Sequence, residues 1–213
     1  MSKSEIEERI ALIEQISRLV SEERRAYGVL HALWGIAIFA GFSAAQLVVY
    51  ASAPWTYLVA CIATSLGLAA VLHALIRKRI QRELGGAGAV WLSIKIGISW
   101  FATAFIGGAC AMLWFFNVPE FQAILEAPNP YYGSSIILLI WFVIDGIGAM
   151  VTGVLVESKE HYVVGAVLCA LAPILAATNP IHAWAVFGAV LGLGYFAIGI
   201  RDYARWKRAK QGV

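Results

Sequence analysis

Asp145 is the side chain with the clearest potential for chemistry, because it is an acid inside a long apolar run. Residues 133–156 contain no other charged side chain. A carboxylate in such surroundings is protonated, paired with a base or open to water, and acids placed in this way often carry protons or ions. The structural alternative is a protonated Asp145 that donates one hydrogen bond to a neighbouring helix.

Lys95 is the candidate partner of Asp145, since it is the other charge that interrupts an apolar run. Two placements fit this lysine: an ion pair with Asp145, or a side chain that extends to the polar edge of the apolar layer. Hydroxyl groups in the same two runs extend the set of intramembrane polar or transport candidates, namely Ser99, Thr103 and Thr152. We identify no catalytic motif around them.

Three histidines, His31, His73 and His161, lie near the charged ends of their apolar runs and share a predicted depth. His31 and His73 could supply the axial ligands of a haem, and His161 or Glu157 could add a third ligand to a metal ion. Single histidines near helix ends more often form hydrogen bonds at the interface. We therefore predict no cofactor and keep haem or a metal ion as the alternative.

Composition identifies the kind of element that positions these residues. Of 213 residues, 61% are hydrophobic and 14% are charged, with a mean hydropathy of +0.76. A soluble domain has about 25% charged residues. The composition therefore excludes a soluble globular domain, a disordered chain and a nucleic-acid-binding protein, and it indicates an integral membrane protein.

Six apolar runs are long enough to cross the hydrocarbon layer, which takes about 20 helical residues. A β-barrel would alternate apolar and polar residues, and these runs do not. We predict an all-α, polytopic integral membrane protein whose six transmembrane helices occupy residues 28–50, 55–76, 90–116, 133–156, 161–179 and 181–200.

The basic residues predict the orientation of these spans. When six spans are drawn, all 16 Lys and Arg residues fall on one side. The positive-inside rule places that side, and with it both termini, in the cytoplasm. We expect the protein to lie in the plasma membrane. The predicted units are a cytoplasmic segment 1–27, a six-helix bundle 28–200 and a basic cytoplasmic tail 201–213.

Residues 4–25 have the pattern of an amphipathic cytoplasmic helix. Its apolar stripe consists of Ile6, Ile10, Ile13, Ile16 and Val20. An isolated helix of this length is marginal in water, so the stripe needs a surface. That surface is a helix of another chain, the loops of the bundle, or lipid, and the six Glu residues of the segment disfavour anionic lipid.

Small residues predict close helix packing in two spans. They are Gly188 and Gly192 in a GxxxG pattern, and Gly146, Gly148 and Gly153. Their spacing does not distinguish a face inside the bundle from one that joins two copies. Pro173 frees the carbonyl of Cys169 and predicts a kink that could act as a hinge, although prolines are also tolerated in spanning helices.

These patterns favour a non-enzymatic membrane component that binds a partner or copies of itself, through the N-terminal helix or the glycine faces. The first alternative is a small transporter or proton-coupled permease that uses Asp145, with Lys95 as gate or counter-ion. The second is a haem-binding redox protein. The partner-binding interpretation is preferred because few internal polar groups are available to bind a solute. The lipid bilayer is the expected surrounding, and no nucleic acid is expected.

Overall fold

The structure, a computed structural model, describes residues 6–12, 14, 25–83, 110, 117 and 131–211. Its long helices are α1 (Gly28–Tyr50), α2 (Trp55–Glu83), α3 (Tyr132–Leu155) and α4 (Lys159–Ala177). The chain then forms a last helical stretch, 180–211. This stretch consists of a 3-10 turn (Pro180–His182), α5 (Ala183–Phe187), a π-helix (Gly188–Leu193) and α6 (Gly194–Gln211).

Five helical stretches are long and apolar enough to cross a membrane. They are α1, residues Trp55–Ile80 of α2, α3, α4, and Pro180–Ala209 of the last stretch. Backbone groups in hydrocarbon must be satisfied within each span, which a helix achieves. The described chain is therefore that of an all-α, multi-pass membrane protein, as the sequence predicts for these five spans.

Two predicted segments lie mainly outside the described residues. Of the predicted third span, 90–116, the structure describes Cys110 alone. Of the predicted amphipathic helix, 4–25, residues 6–12 are helical and exposed. The full N-terminal helix and the sixth span therefore stay predictions.

Two helices extend beyond the predicted spans at charged boundaries. α2 continues past residue 76 through the stretch Arg77–Arg82, and α6 continues through the predicted basic tail to Gln211. Lys and Arg are good helix formers, so the backbone has no reason to stop at the edge of the hydrocarbon layer. Hydropathy predicts where the lipid-facing run ends, but not where the helix ends.

Short turns join α1 to α2 and α3 to α4 as antiparallel pairs. The second residue after α1 and the second residue after α3 have a left-handed backbone: Ser52 with φ 49° and Glu157 with φ 52°. The next amide in each turn donates to the carbonyl five residues earlier. This is the Schellman arrangement, which satisfies the last carbonyls of a helix and reverses the chain at once.

The last helical stretch forms the centre of the bundle. α1 packs against α2 on one side and against α5, the π-helix and α6 on the other. α3 packs on α4 and α5, and α4 also contacts α6. The core lies where these helices meet, around Phe142, Leu168 and Phe187.

Side-chain contacts define two ends of the bundle. At one end Ala26, Ile80 and Trp206 pack together, which joins the start of α1 to the ends of α2 and α6. The basic residues that follow residue 76 in α2 and residue 200 in α6 lie there, so we call it the basic end. At the opposite end, the hydroxyl of Tyr50 and Nδ1 of His182 are hydrogen-bonded at 2.7 Å.

Candidate functional site

Polar side chains from four helical stretches meet between the middle of α3 and the basic end. We call this set the polar network. Hydrogen bonds, ring contacts and electrostatic interactions connect its members, which are Asp145, Tyr195, His31, His161, Ser158, Glu160, Arg201 and Asp202.

Asp145 is the deepest member of the polar network. It lies ten residues before Leu155, the end of α3, or about 15 Å along the helix axis. Its carboxyl group is partly buried and interacts electrostatically with Tyr195 of α6. Within the described part of the chain it forms no ion pair. Lys95, Ser99 and Thr103 lie outside that part, so the Lys95–Asp145 pair stays a prediction.

Three aromatic rings form the middle of the polar network. The ring centroids of His31 in α1 and His161 in α4 are 5.2 Å apart. Tyr195 lies 6.1 Å from the first and 5.4 Å from the second. His161 is 1% exposed, and Nδ1 of His31 is buried without a hydrogen-bond partner among the described residues. Imidazoles and a phenol in contact can donate, accept and pass on protons.

Arg201 connects two carboxylates at the basic end. Its Nε and Nη2 donate to Oδ1 of Asp202 at 3.0 and 2.9 Å, and its Nη1 donates to Oε1 of Glu160 in α4. The side chain of Asp202 is 4% exposed and that of Glu160 is 46% exposed. A buried carboxylate needs a compensating charge. Asp202 also interacts electrostatically with His31, which joins this cluster to the rings.

Ser158 makes a second connection between the carboxylates and the rings. Its Oγ donates to Oε2 of Glu160 at 3.0 Å and lies 2.8 Å from Nδ1 of His161. Ser158 directly precedes α4, and Glu160 and His161 lie in its first turn, so one helix end positions all three side chains. The polar network is therefore continuous from Arg201 to His161.

The structure separates the histidines that the sequence groups as haem or metal ligands. His31 and His161 come together, whereas His73 accepts a hydrogen bond from Nε1 of Trp34 at 2.9 Å. Among the described residues, no group of three or more His, Cys, Asp or Glu side chains is placed to hold a metal ion. His31 therefore belongs to the polar network, while His73 is bonded to an indole one turn further along α1 and interacts with His31 electrostatically.

Thr152 is the predicted hydroxyl candidate that the structure does describe. It lies seven residues after Asp145, so both residues share one face of α3. The side chain is buried, and Oγ1 has no hydrogen-bond partner within the described ranges. Threonine in a helix usually donates to the preceding turn. Its hydroxyl adds a polar atom between Asp145 and the basic end.

The five glycines predicted for helix packing are all buried within the bundle. A Cβ on Gly146 would lie 2.6 Å from Sγ of Cys169 in α4, and one on Gly192 would lie 2.6 Å from the amide nitrogen of Phe39 in α1. Non-bonded atoms do not approach so closely. Gly146 and Gly153 face α4, Gly188 and Gly192 face α1, and Gly148 is buried as well.

Pro173 lies inside α4, which continues to Ala177. The predicted loss of the hydrogen bond to the carbonyl of Cys169 follows from the missing amide of proline. The residue lies in the half of α4 that is remote from the polar network. Its role as a hinge stays a prediction.

Sequence reasoning did not identify five members of the polar network as site residues: Tyr195, Asp202, Arg201, Ser158 and Glu160. One signal was present: Tyr195 and Asp202 are seven residues apart, which places them on one helix face. Asp202 is also the acid within the stretch 201–208, which is otherwise rich in bases. The π-helix before Tyr195 changes the residues per turn, so a regular helical wheel misplaces the faces that follow it.

No protein-family model matches this sequence, and no curated protein or solved structure is significantly similar to it. The function is therefore inferred from the geometry of the polar network.

Proposed function

We propose that the protein is a proton-coupled permease in which Asp145 takes up and releases the proton. The observation that supports this is the polar network, which leads from a carboxyl group in the middle of α3 to charged groups at the basic end. An isolated carboxylate at mid-membrane depth costs about 2.5–3.5 kcal/mol on insertion scales. A carboxyl group with a route for protons can instead change its charge during a transport cycle.

Charge at the basic end favours the delivery of protons to the two histidines. Asp202, Glu160 and Arg201 together carry one formal negative charge. A protonated imidazole on His31 or His161 would neutralise this cluster. Imidazole is also the side chain whose ordinary titration lies between about pH 5 and 8. The histidines would therefore exchange protons between the basic end and Asp145 through Tyr195.

The proposal includes the six-span topology. α2 ends at the basic end, where Ile80 contacts Trp206. α3 begins at the opposite end, where Nε1 of Trp184 donates a hydrogen bond to Oγ of Ser135. Trp184 is two residues after His182, which marks that end. The span predicted from the sequence at 90–116 would connect these two ends. The positive-inside rule then supports a plasma-membrane protein with both termini, the helix 4–25 and the basic end in the cytoplasm.

A second candidate function is that of a partner-binding or self-associating membrane component. It is favoured by the surface of α2, whose side chains between Trp55 and Ile80 are mostly exposed. Three large side chains on this helix, Leu68, Val71 and Leu75, are each 60% exposed. Cross-linking in membranes and mass measurement in detergent test this function. A strict monomer whose N-terminal segment contacts its own bundle alone would contradict it.

The permease proposal is tested with Asp145→Asn in liposomes that contain a pH-sensitive dye. Amino acids, organic acids and amines are added one at a time, with and without an imposed pH gradient. We expect at least one class to move protons with the wild-type protein, and Asp145→Asn to reduce that movement to the level of protein-free liposomes. Asn keeps the shape of the side chain but cannot bind the proton.

Glu157→Gln is the matched control, because it removes an exposed carboxylate from the turn after α3. It should transport like the wild type. Equal proton movement in Asp145→Asn and wild type would refute the role of Asp145, and no movement with any of the three classes would refute the permease.

A further inference from the structure

The single hydroxyl proton of Ser158 has a defined acceptor. Oγ of Ser158 donates to Oε2 of Glu160 at 3.0 Å, while Nδ1 of His161 lies 2.8 Å from the same Oγ. An ionised carboxylate only accepts hydrogen bonds, and Arg201 binds this carboxylate through its other oxygen. Because the proton of Ser158 is used towards Glu160, Oγ can only accept from His161. Nδ1 of His161 must therefore carry a hydrogen.

We infer that Ser158 and Glu160 hold neutral His161 in the tautomer protonated on Nδ1, so that Nε2 is the proton-accepting atom of the polar network. A neutral imidazole has one donor and one acceptor nitrogen, so fixing Nδ1 also fixes Nε2. Nε2 is buried, and its ring contacts those of His31 and Tyr195. The purpose of this arrangement rests on the proposed function, whereas the tautomer follows from the hydrogen bonds alone.

This tautomer prepares His161 for proton uptake without rearrangement. A proton that arrives on Nε2 leaves the bond from Nδ1 to Ser158 unchanged. The resulting positive charge is connected through Ser158 to the negative charge of Glu160. Preorganised hydrogen bonds of this kind need no reorientation when charge develops. Ser158 and Glu160 are therefore positioning residues, and His161 is the residue that binds the proton.

Ser158 and Glu160 can be replaced one at a time at a limited expected cost to folding, that of a buried polar group that loses its partner. Ser158 precedes α4, but its side chain forms no capping hydrogen bond to that helix. The side chain of Glu160 is 46% exposed. Variants at these two positions therefore test the tautomer in a folded protein.

The experiment is nitrogen NMR of the full chain in lipid bilayers, with ¹⁵N-labelled histidine, at about pH 8, above the usual protonation range of imidazole. The chain has four histidines, and the signals lost in His161→Gln assign His161. For the wild type we expect the Nδ1–H form to exceed the Nε2–H form by about tenfold or more, as suits a hydrogen-bonded network that includes a charge.

Two variants should lower the ratio of the Nδ1–H to the Nε2–H form at least about fivefold. That factor is the lower limit of the usual range for coupled sites. Ser158→Ala removes the acceptor of Nδ1–H. Glu160→Ala frees the hydroxyl of Ser158 to donate to Nδ1, which favours the opposite tautomer. Glu157→Ala, which removes a neighbouring exposed carboxylate, should leave the ratio unchanged.

A wild-type protein with His161 mainly in the Nε2–H form would overturn the inference. So would a wild-type ratio in Ser158→Ala or Glu160→Ala. The measurement uses no solute and no gradient. Its failure is therefore distinct from a failure of the Asp145→Asn transport test, which would leave the tautomer of His161 unaffected.

Discussion

At the basic end and at the opposite end of the bundle, polar side chains connect the last helical stretch to its neighbours in different ways. At the basic end, Arg201 and Asp202 continue through His31 and His161 towards Asp145. At the opposite end, the described contacts do not extend to Asp145, and Tyr50 is hydrogen-bonded to His182 there. Gln46 of α1 donates to the carbonyl of Ile181 and accepts from the amide of Ala185, each at 2.9 Å.

The difference separates a structural polar contact from the proposed route for protons. Gln46 satisfies two backbone groups at the start of a helix, and an amide neither gains nor loses a proton. His161 and Tyr195 lie between ionisable groups, so each can both receive and donate. Both ends contain polar and titratable side chains, but in the described part of the chain the series of contacts that reaches Asp145 starts at the basic end.

Among the substitutions that test this comparison by stability, one at the opposite end, Gln46→Leu, is expected to have the largest effect. Gln46→Leu removes the partners of two partly buried backbone groups, at about 1–3 kcal/mol each. We therefore expect unfolding in mixed micelles to become easier by about 2 kcal/mol or more. Proton movement by the folded fraction should stay at the wild-type rate, because Gln46 lies outside the polar network.

Leu47→Ala is the control for Gln46→Leu, since Leu47 is the next residue and is 68% exposed. It should unfold within about 0.5 kcal/mol of the wild type, as is usual for surface substitutions. Loss of transport in Gln46→Leu at unchanged stability would place Gln46 in the transport route and remove the distinction between the two ends.

A smaller effect on stability is expected at the turns, a feature that both ends share. Ser52 and Glu157 occupy equivalent left-handed positions, one at each end. Glycine adopts this conformation without the steric cost of a Cβ atom. We expect Ser52→Gly and Glu157→Gly each to stabilise the protein by about 0.5–1 kcal/mol in micelle unfolding, the size of a favourable backbone substitution. Destabilisation by either variant would show that its turn depends on the side chain.

The sequence predicts the spans much better than it predicts the polar network. Span positions follow from hydropathy, which depends on each residue's own transfer free energy. Asp145 is identifiable for the same reason, as an acid in an apolar run. The contact between His31 and His161 depends on which helices are neighbours, and shared depth alone does not determine that.

Other members of the polar network are hidden for local reasons. The sequence assigns Arg201 and Asp202 to a basic tail, because the composition of 201–213 does not show that α6 continues to Gln211. Tyr195 follows a π-helix, so its direction departs from the regular helical period. The bond between Ser158 and Glu160 depends on the geometry of one helix start, which composition does not specify.

The most direct test of the central claim, that Tyr195 links Asp145 to the histidines, is the rate of proton movement in Tyr195→Phe. This change removes one hydroxyl from the middle of the polar network and keeps the buried ring. Tyr131→Phe, at a buried tyrosine remote from Asp145 along α3, is the control. The account predicts a rate about 100-fold lower for Tyr195→Phe, the lower end for a positioned proton-transfer group, and a wild-type rate for Tyr131→Phe. Equal rates in Tyr195→Phe and wild type would contradict it.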